Sequence, residues 1–267
     1  PVTSVQVSGV SYKNLGEPGL AFLQEWAAQG ARCRASAMLN PAGMDLTAWP
    51  TLGFSEQFAQ RQQAVVTAYE ALGVLPSCTC TPYLAGYMPK GGEDLAWAES
   101  SAVSYANSVL GARTNREGGP SALAAAIAGR TASDGLHLPE KRRATLLVEV
   151  RCEISSEADL GALGYLVGRQ AKNGVPYFRF GDLDLQWSGD RFKTLGAAMA
   201  ASGAVALYHV EEVTPEARSG EMLPRNTEVL TVNDLRPAYA LLDGHLERVD
   251  LVSLGCPHAS LEDIEAI

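Results

Sequence analysis

The 267-residue chain is 46% hydrophobic and 19% charged, with a net charge of -9 and a pI near 5.0. That acidity excludes nucleic-acid binding through a basic face and describes a well-solvated surface instead. No apolar run approaches the roughly 20 residues of a membrane helix and no charged-then-apolar leader opens the chain, so the expected setting is cytoplasmic with no membrane partner.

"TSVQVSGVSY" alternates apolar and polar residues and reads as a strand; "GLAFLQEWAAQGA" follows at helical spacing and closes on Gly30. "ARCRASAML" is strand-like and runs into the turn "NPAGMD". "SEQFAQRQQAVVTAYEALG" is a helix with Ser55 at the N-cap and Gly73 at C′. "GEDLAWAESSAVSYANSVLGA" is read as one helix, and "PSALAAAIAG" as a short one opened by Pro120. From Ala144 the pattern becomes strand, helix, strand, helix, strand, in "ATLLVEVRCEI", "EADLGALGYLVGRQA", "PYFRF", "DRFKTLGAAMAASG" and "AVALYHVEEV". "LVSLGCPHASLEDIEAI" then reads as strand, tight turn and helix. Alternation of this kind predicts an α/β architecture with largely parallel sheets. A division follows the "LPEKRR" charge cluster: a first α/β subdomain over 1–143 and a second over 144–267. Both ends read as interrupted structure, which points to a piece of a longer chain.

Five cysteines is an odd number in a chain of this size, which argues against a disulfide framework and leaves thiols free for metal or catalysis in a reducing compartment. Cys78 and Cys80 in "CTCTPY" are two apart on an extended segment, so their side chains point to opposite sides and one of them packs. Cys256 in "SLGCPHAS" follows an apolar strand and precedes a helix capped by Ser260 or near Ser253, where open amides favour a thiolate. Cys33 and Cys152 fall in strand-like segments and read as structural. His137, His209, His245 and His258 show no zinc spacing, and His258 is notable for its place beside Cys256. The "NREGG" turn feeds a helix N-terminus, and Arg113 and Arg116 beside it suit an anion; the plainer reading has them solvated or paired with Glu117. Glu99, Ser100 or Ser101, Ser104 and Asn107 form a polar row in an apolar helix, which means a wet cleft or a buried network.

"VSGVSYKNLGEPGLAFL", "LNPAGMD", "CTCTPYL", "GEDLAWAESSAVSYANSVLGARTNREGGPSALAAAIAGRT", "GLHL" and "GCPHASLEDI" resemble, in this order, the large subunit or large domain of the aconitase X family. The resemblance implies a hydro-lyase that removes water from a small hydroxy acid using an iron–sulfur cluster, of four irons and four sulfurs or a smaller form. It implies mevalonate 5-phosphate as substrate, with cis-3-hydroxy-L-proline as the alternative, and a small swivelling subunit or domain as partner. Of the three cysteines that hold the family's cluster, Cys80 and Cys256 match here, with Cys78 as the fallback; the third is expected beyond Ile267. Ser100 or Ser101 is the implied base, with Glu99 competing. Lys13, Arg113, Asn115 and Arg116 are the implied substrate binders, and Glu117 an orienter of Arg116. A rival reading is a catalytically incomplete subunit or fragment acting in assembly; another is a zinc- or thiol-dependent α/β enzyme using Cys256 and His258.

Overall fold

A computed structural model describes residues 1–181 and 185–265. In chain order the elements are β1 (Ser4–Val7), α1 (Tyr12–Ala28), β2 (Ser36–Leu39), α2 (Glu56–Ala71), β3 (Leu95–Trp97), α3 (Ser100–Ser108), α4 (Gly119–Ala128), β4 (Leu146–Val150), α5 (Glu157–Ala171), β5 (Pro176–Arg179), α6 (Gly189–Gly203), β6 (His209–Val210), β7 (Glu228–Val232), α7 (Arg236–Leu242) and α8 (Leu261–Glu265). They form two parallel sheets, ordered β2-β1-β3 and β6-β5-β4-β7. The parallel α/β expectation is met.

The first sheet is covered on both faces, because period-two alternation sends successive side chains to opposite sides. Val5, Val7, Leu39, Ala96 and Ala98 pack against Leu20 and Leu23 of α1, Val65 and Tyr69 of α2 and Leu123 of α4. Leu95 and Trp97 meet Ala102, Val103 and Ala106 of α3 and the ring of Tyr83. In the second sheet Val148 and Phe178 pack under Leu160, Leu163 and Val167 of α5 and Leu195 and Met199 of α6.

Local signals placed the helix ends. Ser55 caps α2 by accepting from the Phe58 amide at 3.2 Å, and Gly73 takes the left-handed C′ conformation, φ 89. Helix α1 begins earlier than its periodicity indicates. A first turn opening at Tyr12 runs into the main helix across Gly16, whose φ of 62 and ψ of -174 break the regular path before Pro18.

Two expectations are corrected. "GEDLAWAESSAVSYANSVLGA" is not one helix: Leu95–Trp97 pairs with β1 as a strand, Glu99 becomes the N-cap, and only Ser100–Ser108 is helical. Packing against α3 and Tyr83 buries Trp97 completely, and pairing with β1 overrides the helix-forming neighbours. Residues 251–255 form no strand, so Cys256 does not lie at a strand end, and the Cys256–Pro257 peptide is cis. The helix expected through Ala266 and Ile267 is seen as Leu261–Glu265; the last two residues lie outside the described ones. β7 and α7 escaped the sequence reading altogether.

The two sheets are joined through polar residues of α3. The Asn107 side chain donates to Ala206 O at 2.9 Å and accepts from the Thr114 amide at 3.0 Å, and Ser108 Oγ accepts from the Tyr208 amide at 2.9 Å. Arg142, from the charge cluster read as a boundary, is fully buried between Asn107 and Glu216.

Candidate active site

In the order β2-β1-β3 the chain leaves β1 toward β2 on one side and returns to β3 on the other, so the loops after β1 and β3 diverge and open a crevice at their carboxyl ends. Gln62 of α2 shapes its rim. This fully buried amide donates to Val10 O at 3.0 Å and accepts from the amides of Tyr12, at 2.9 Å, and Gly43, at 3.1 Å, binding the loops after β1 and β2 to one helix.

Parallel register puts Gln6 opposite Met38 and Trp97, so Asn40 and Glu99, two residues further along their chains, continue the same face. Asn40 Nδ2 donates to Glu99 Oε2 at 2.7 Å, and Ser100 Oγ donates to Glu99 Oε1 at 3.3 Å. The carboxylate is thereby held beside a serine in the first turn of α3. Ser101 is buried and its hydroxyl has no protein partner. Gln6 Nε2 donates to Thr79 O at 3.0 Å, anchoring the residue before Cys80, while its own Oε1 is buried without a partner.

Cys78 and Cys80 do not lie on a regular strand. Thr79 bonds to Leu39 at 3.2 Å alongside β2, but Cys78 has a φ of 46, which redirects the chain there. The Cys78 side chain packs against the first core, whereas Cys80 turns toward the 254–263 segment. The backbone N–H of His258 donates to Cys80 Sγ at 3.0 Å, across 178 positions of sequence. Burial pushes the Cys80 thiol up, the His258 N–H opposes this, and the charges of Glu99 and Cys256 push it further. A thiolate at Cys80 therefore needs a positive partner. Burial likewise raises Cys78, against the backbone of Ala42. Cys256 is exposed and lines a groove of about 640 Å³ between α5, α6 and its own loop. Two clefts of about 450 Å³ flank His258, one against Thr79, Thr81 and Ala85, the other against Pro41, Asp45 and Cys78.

Tyr83, three residues after Cys80, stacks on Tyr105 with ring centroids 3.8 Å apart, and its buried hydroxyl has no protein partner. Burial, then Tyr105, Cys80, Asp190 and Glu99, raise its pKa well above the usual phenol value, so it stays a donor. Gln62, Asn40, Gln6 and Tyr83 were all missed in the sequence. A buried glutamine among Val65 and Val66 on the apolar side of α2 was the one available signal.

The anion-binding candidates are more dispersed. Lys13 and Arg116 are exposed and Arg113 is half-buried, with its Nε lacking a partner. Both ends of the Asn115 amide are engaged structurally, donating to Asp134 O at 3.0 Å and accepting from the Leu136 amide at 2.8 Å. Glu117 accepts from Ser121 Oγ at 2.6 Å and Thr131 Oγ1 at 2.9 Å, which ties it to the start of α4 rather than to Arg116. In the polar row, Asn107 serves the junction between sheets instead of the cleft.

Among the described residues no group of three or more His, Cys, Asp or Glu side chains is arranged to hold a metal ion. The donor chemistry nevertheless fits part of a sulfur-ligated centre: two thiols from remote segments, one buried and receiving an N–H bond, next to a fixed carboxylate.

Fold and site together define a parallel α/β protein with a thiol and carboxylate site at the carboxyl edge of a sheet. The description "Aconitase X first domain" matches residues 1–140 and "Aconitase X second domain" residues 144–240. The chain belongs to the aconitase X family. It is 54% identical over 267 residues to the phosphomevalonate dehydratase large subunit of Methanothermobacter thermautotrophicus, covering 100% of this chain and 66% of that protein. A cis-3-hydroxy-L-proline dehydratase of Pseudomonas aeruginosa is 38% identical, over 93% of this chain and 44% of that protein. The crystal structure of Thermococcus kodakaraensis aconitase X, in its holo-form, superimposes with a TM-score of 0.89 at 45% identity, covering 100% of this chain and 66% of that one. The chain thus spans about two thirds of the length of its large-subunit relative. No helix among the described residues is long and apolar enough to cross a membrane.

Proposed function

We propose that this chain is part of the large subunit of an aconitase X hydro-lyase that dehydrates mevalonate 5-phosphate together with a small subunit. The observation that carries the reading is the seating of the Cys256–His258 turn on Cys80 beside the Glu99–Ser100 pair. Its support in kind is the 54% identity to a phosphomevalonate dehydratase large subunit, against 38% to a cis-3-hydroxy-L-proline dehydratase.

Cys80 and Cys256 would supply two thiolates to an iron–sulfur cluster. When bound, such a cluster supplies Lewis-acid assistance at the leaving hydroxyl through an open iron position. The chain's own residues do the rest. Asn40 and Ser100 hold the Glu99 carboxylate in one orientation, so Glu99 can accept a proton from the substrate carbon, directly or through the Ser100 hydroxyl. Ser101 offers a further buried hydroxyl, and Tyr83 a phenol that donates. Lys13, Arg113 and Arg116 supply cationic side chains for carboxylate or phosphate.

The test is anaerobic iron and sulfide reconstitution of the full-length subunit with its small partner, read by visible absorption, EPR and dehydration of mevalonate 5-phosphate and of cis-3-hydroxy-L-proline. We expect a cluster spectrum and turnover of the phosphate ester, both lost in Cys256→Ala. An unchanged spectrum and activity in Cys256→Ala would remove that residue from the site, and turnover of the proline alone would reassign the substrate.

A further inference from the structure

The segment that carries Cys256 and seats His258 on Cys80 has almost no apolar anchorage. From Leu241 to Glu265 the one buried residue is Ser260, a polar one, with Pro257 and Asp263 half-buried. Leu246, Val249, Leu251, Val252 and Leu254 are all more than half exposed. A stretch with so little buried apolar surface opens at low free energy unless something else ties it down.

What ties it down is a closed polar ring. Lys193, on the second turn of α6, is 4% exposed at its side chain and pairs with Asp190 Oδ1 at 2.7 Å and with Asp263 Oδ2. Asp263 accepts in turn from the Ser260 amide at 2.8 Å, and its own amide donates to Ser260 Oγ at 3.0 Å, a reciprocal cap that starts α8. Ser260 Oγ donates to Asp190 Oδ2 at 2.9 Å, which closes the ring. Asp190 of α6 and Asp263 of the 260–263 segment thus share one buried ammonium, and Ser260 links the two carboxylates. Removing it would strand two carboxylates in a mostly buried setting, the situation in which a buried ion pair matters most.

We propose that Lys193 is a positioning residue for the thiol pair, clasping the 254–263 segment to α6 so that the Cys256–His258 turn stays over Cys80. This rests on the reading of Cys80 and Cys256 as cluster ligands and names the device that holds the Cys256–His258 turn on Cys80. Lys193 touches neither thiol; it acts through Asp263 and Ser260, two to five residues beyond His258.

The experiment is peptide-resolved iodoacetamide labelling of the metal-free full-length subunit, followed by iron and sulfide analysis after anaerobic reconstitution. Lys193→Met is the direct variant. Asp263→Ala is the second, because it opens the ring while leaving Lys193 paired with Asp190, so the α6 core is undisturbed. Both variants should label Cys80 at least about tenfold faster than wild type, since the covering turn opens more often. Cys33 and Cys152 should label at unchanged rates, and Asp263→Ala should keep its unfolding midpoint. Both variants should also take up less iron and sulfide. Wild-type Cys80 labelling in Asp263→Ala overturns the clasp, even if the wild-type protein assembles a cluster. Faster Cys80 labelling in a protein whose wild type takes up no iron or sulfide sustains the clasp and overturns the ligand reading instead.

Discussion

Replacing Arg142 by methionine should test the join between the two sheets more sharply than any other single change. The guanidinium is 1% exposed at its side chain, facing a Glu216 carboxylate that is 22% exposed. Its Nε donates to Glu216 Oε1 at 2.7 Å and Oε2 at 3.0 Å. Nη1 donates to Asn107 Oδ1 at 3.1 Å and Leu136 O at 2.9 Å, and Nη2 to Asn107 O and Ala112 O, both at 3.1 Å. Methionine keeps most of the stem's packing but strands the carboxylate and three backbone carbonyls. Breaking a buried pair from one side costs about 3–5 kcal/mol; the stranded carbonyls, about 1 kcal/mol each, overlap with that figure. A loss of about 4 kcal/mol is a large share of the 5–15 kcal/mol typical of a folded domain, and most of what a marginal one possesses. With a urea slope of about 3 kcal/mol per M, the midpoint should fall by somewhat more than 1 M. The assay is urea unfolding followed by far-UV circular dichroism and tryptophan fluorescence. Adding Glu216→Met to Arg142→Met removes the stranded charge and should recover much of the loss. A midpoint shift below about 0.3 M in the single variant, or a double variant no more stable than the single, would refute the reasoning.

Two further outcomes follow from local geometry. A methyl at Gly203 would overlap the carbonyl of Gly168 and stand 2.8 Å from its Cα, so Gly203→Ala must part α5 from α6; a thermal melt should report a loss of about 1–3 kcal/mol, and an unchanged melt would mean that the helices are not in such close contact. Asp159 is raised by burial, but the Tyr239 hydroxyl and the hydrogen bonds of Ser156 and Ser155 outweigh this and hold it down at about 2. Its folded-state pKa is below the ordinary carboxylate value of 3.8, so its stabilisation is complete above that value and is lost as pH falls through about 2. The difference in melting temperature between wild type and Asp159→Asn should therefore shrink between pH 5 and pH 2, and a constant difference would remove Asp159 as its source.

Much of the architecture was legible because its causes are local. The α5 and α6 patterns repeat apolar residues at helical spacing, and Ser55, Gly73 and Pro120 mark helix ends through their own hydrogen bonding and backbone preferences. β3 was misread because a strand of three residues carries no period of its own, and its pairing with β1 comes from elsewhere in the chain. β7 was overlooked because its outer residues are exposed on an edge strand, which leaves little alternation to read. In the candidate site, Cys80, Cys256, Glu99 and Ser100 were named from motifs. Asn40, Gln62 and Lys193, which hold those residues in place, were not.

The sequence by itself determined the alternation of strand and helix, several helix ends and the family motifs, because propensity, periodicity and short spacing are properties of neighbouring residues. The tertiary structure alone decided that His258 caps Cys80, that Asn40 reaches Glu99 across the end of β1, and that Arg142 sits between the sheets. Those meetings depend on strand register and on the packing of α3 against α6, where contact energy is set by residues tens to hundreds of positions apart. No local pattern carries that information.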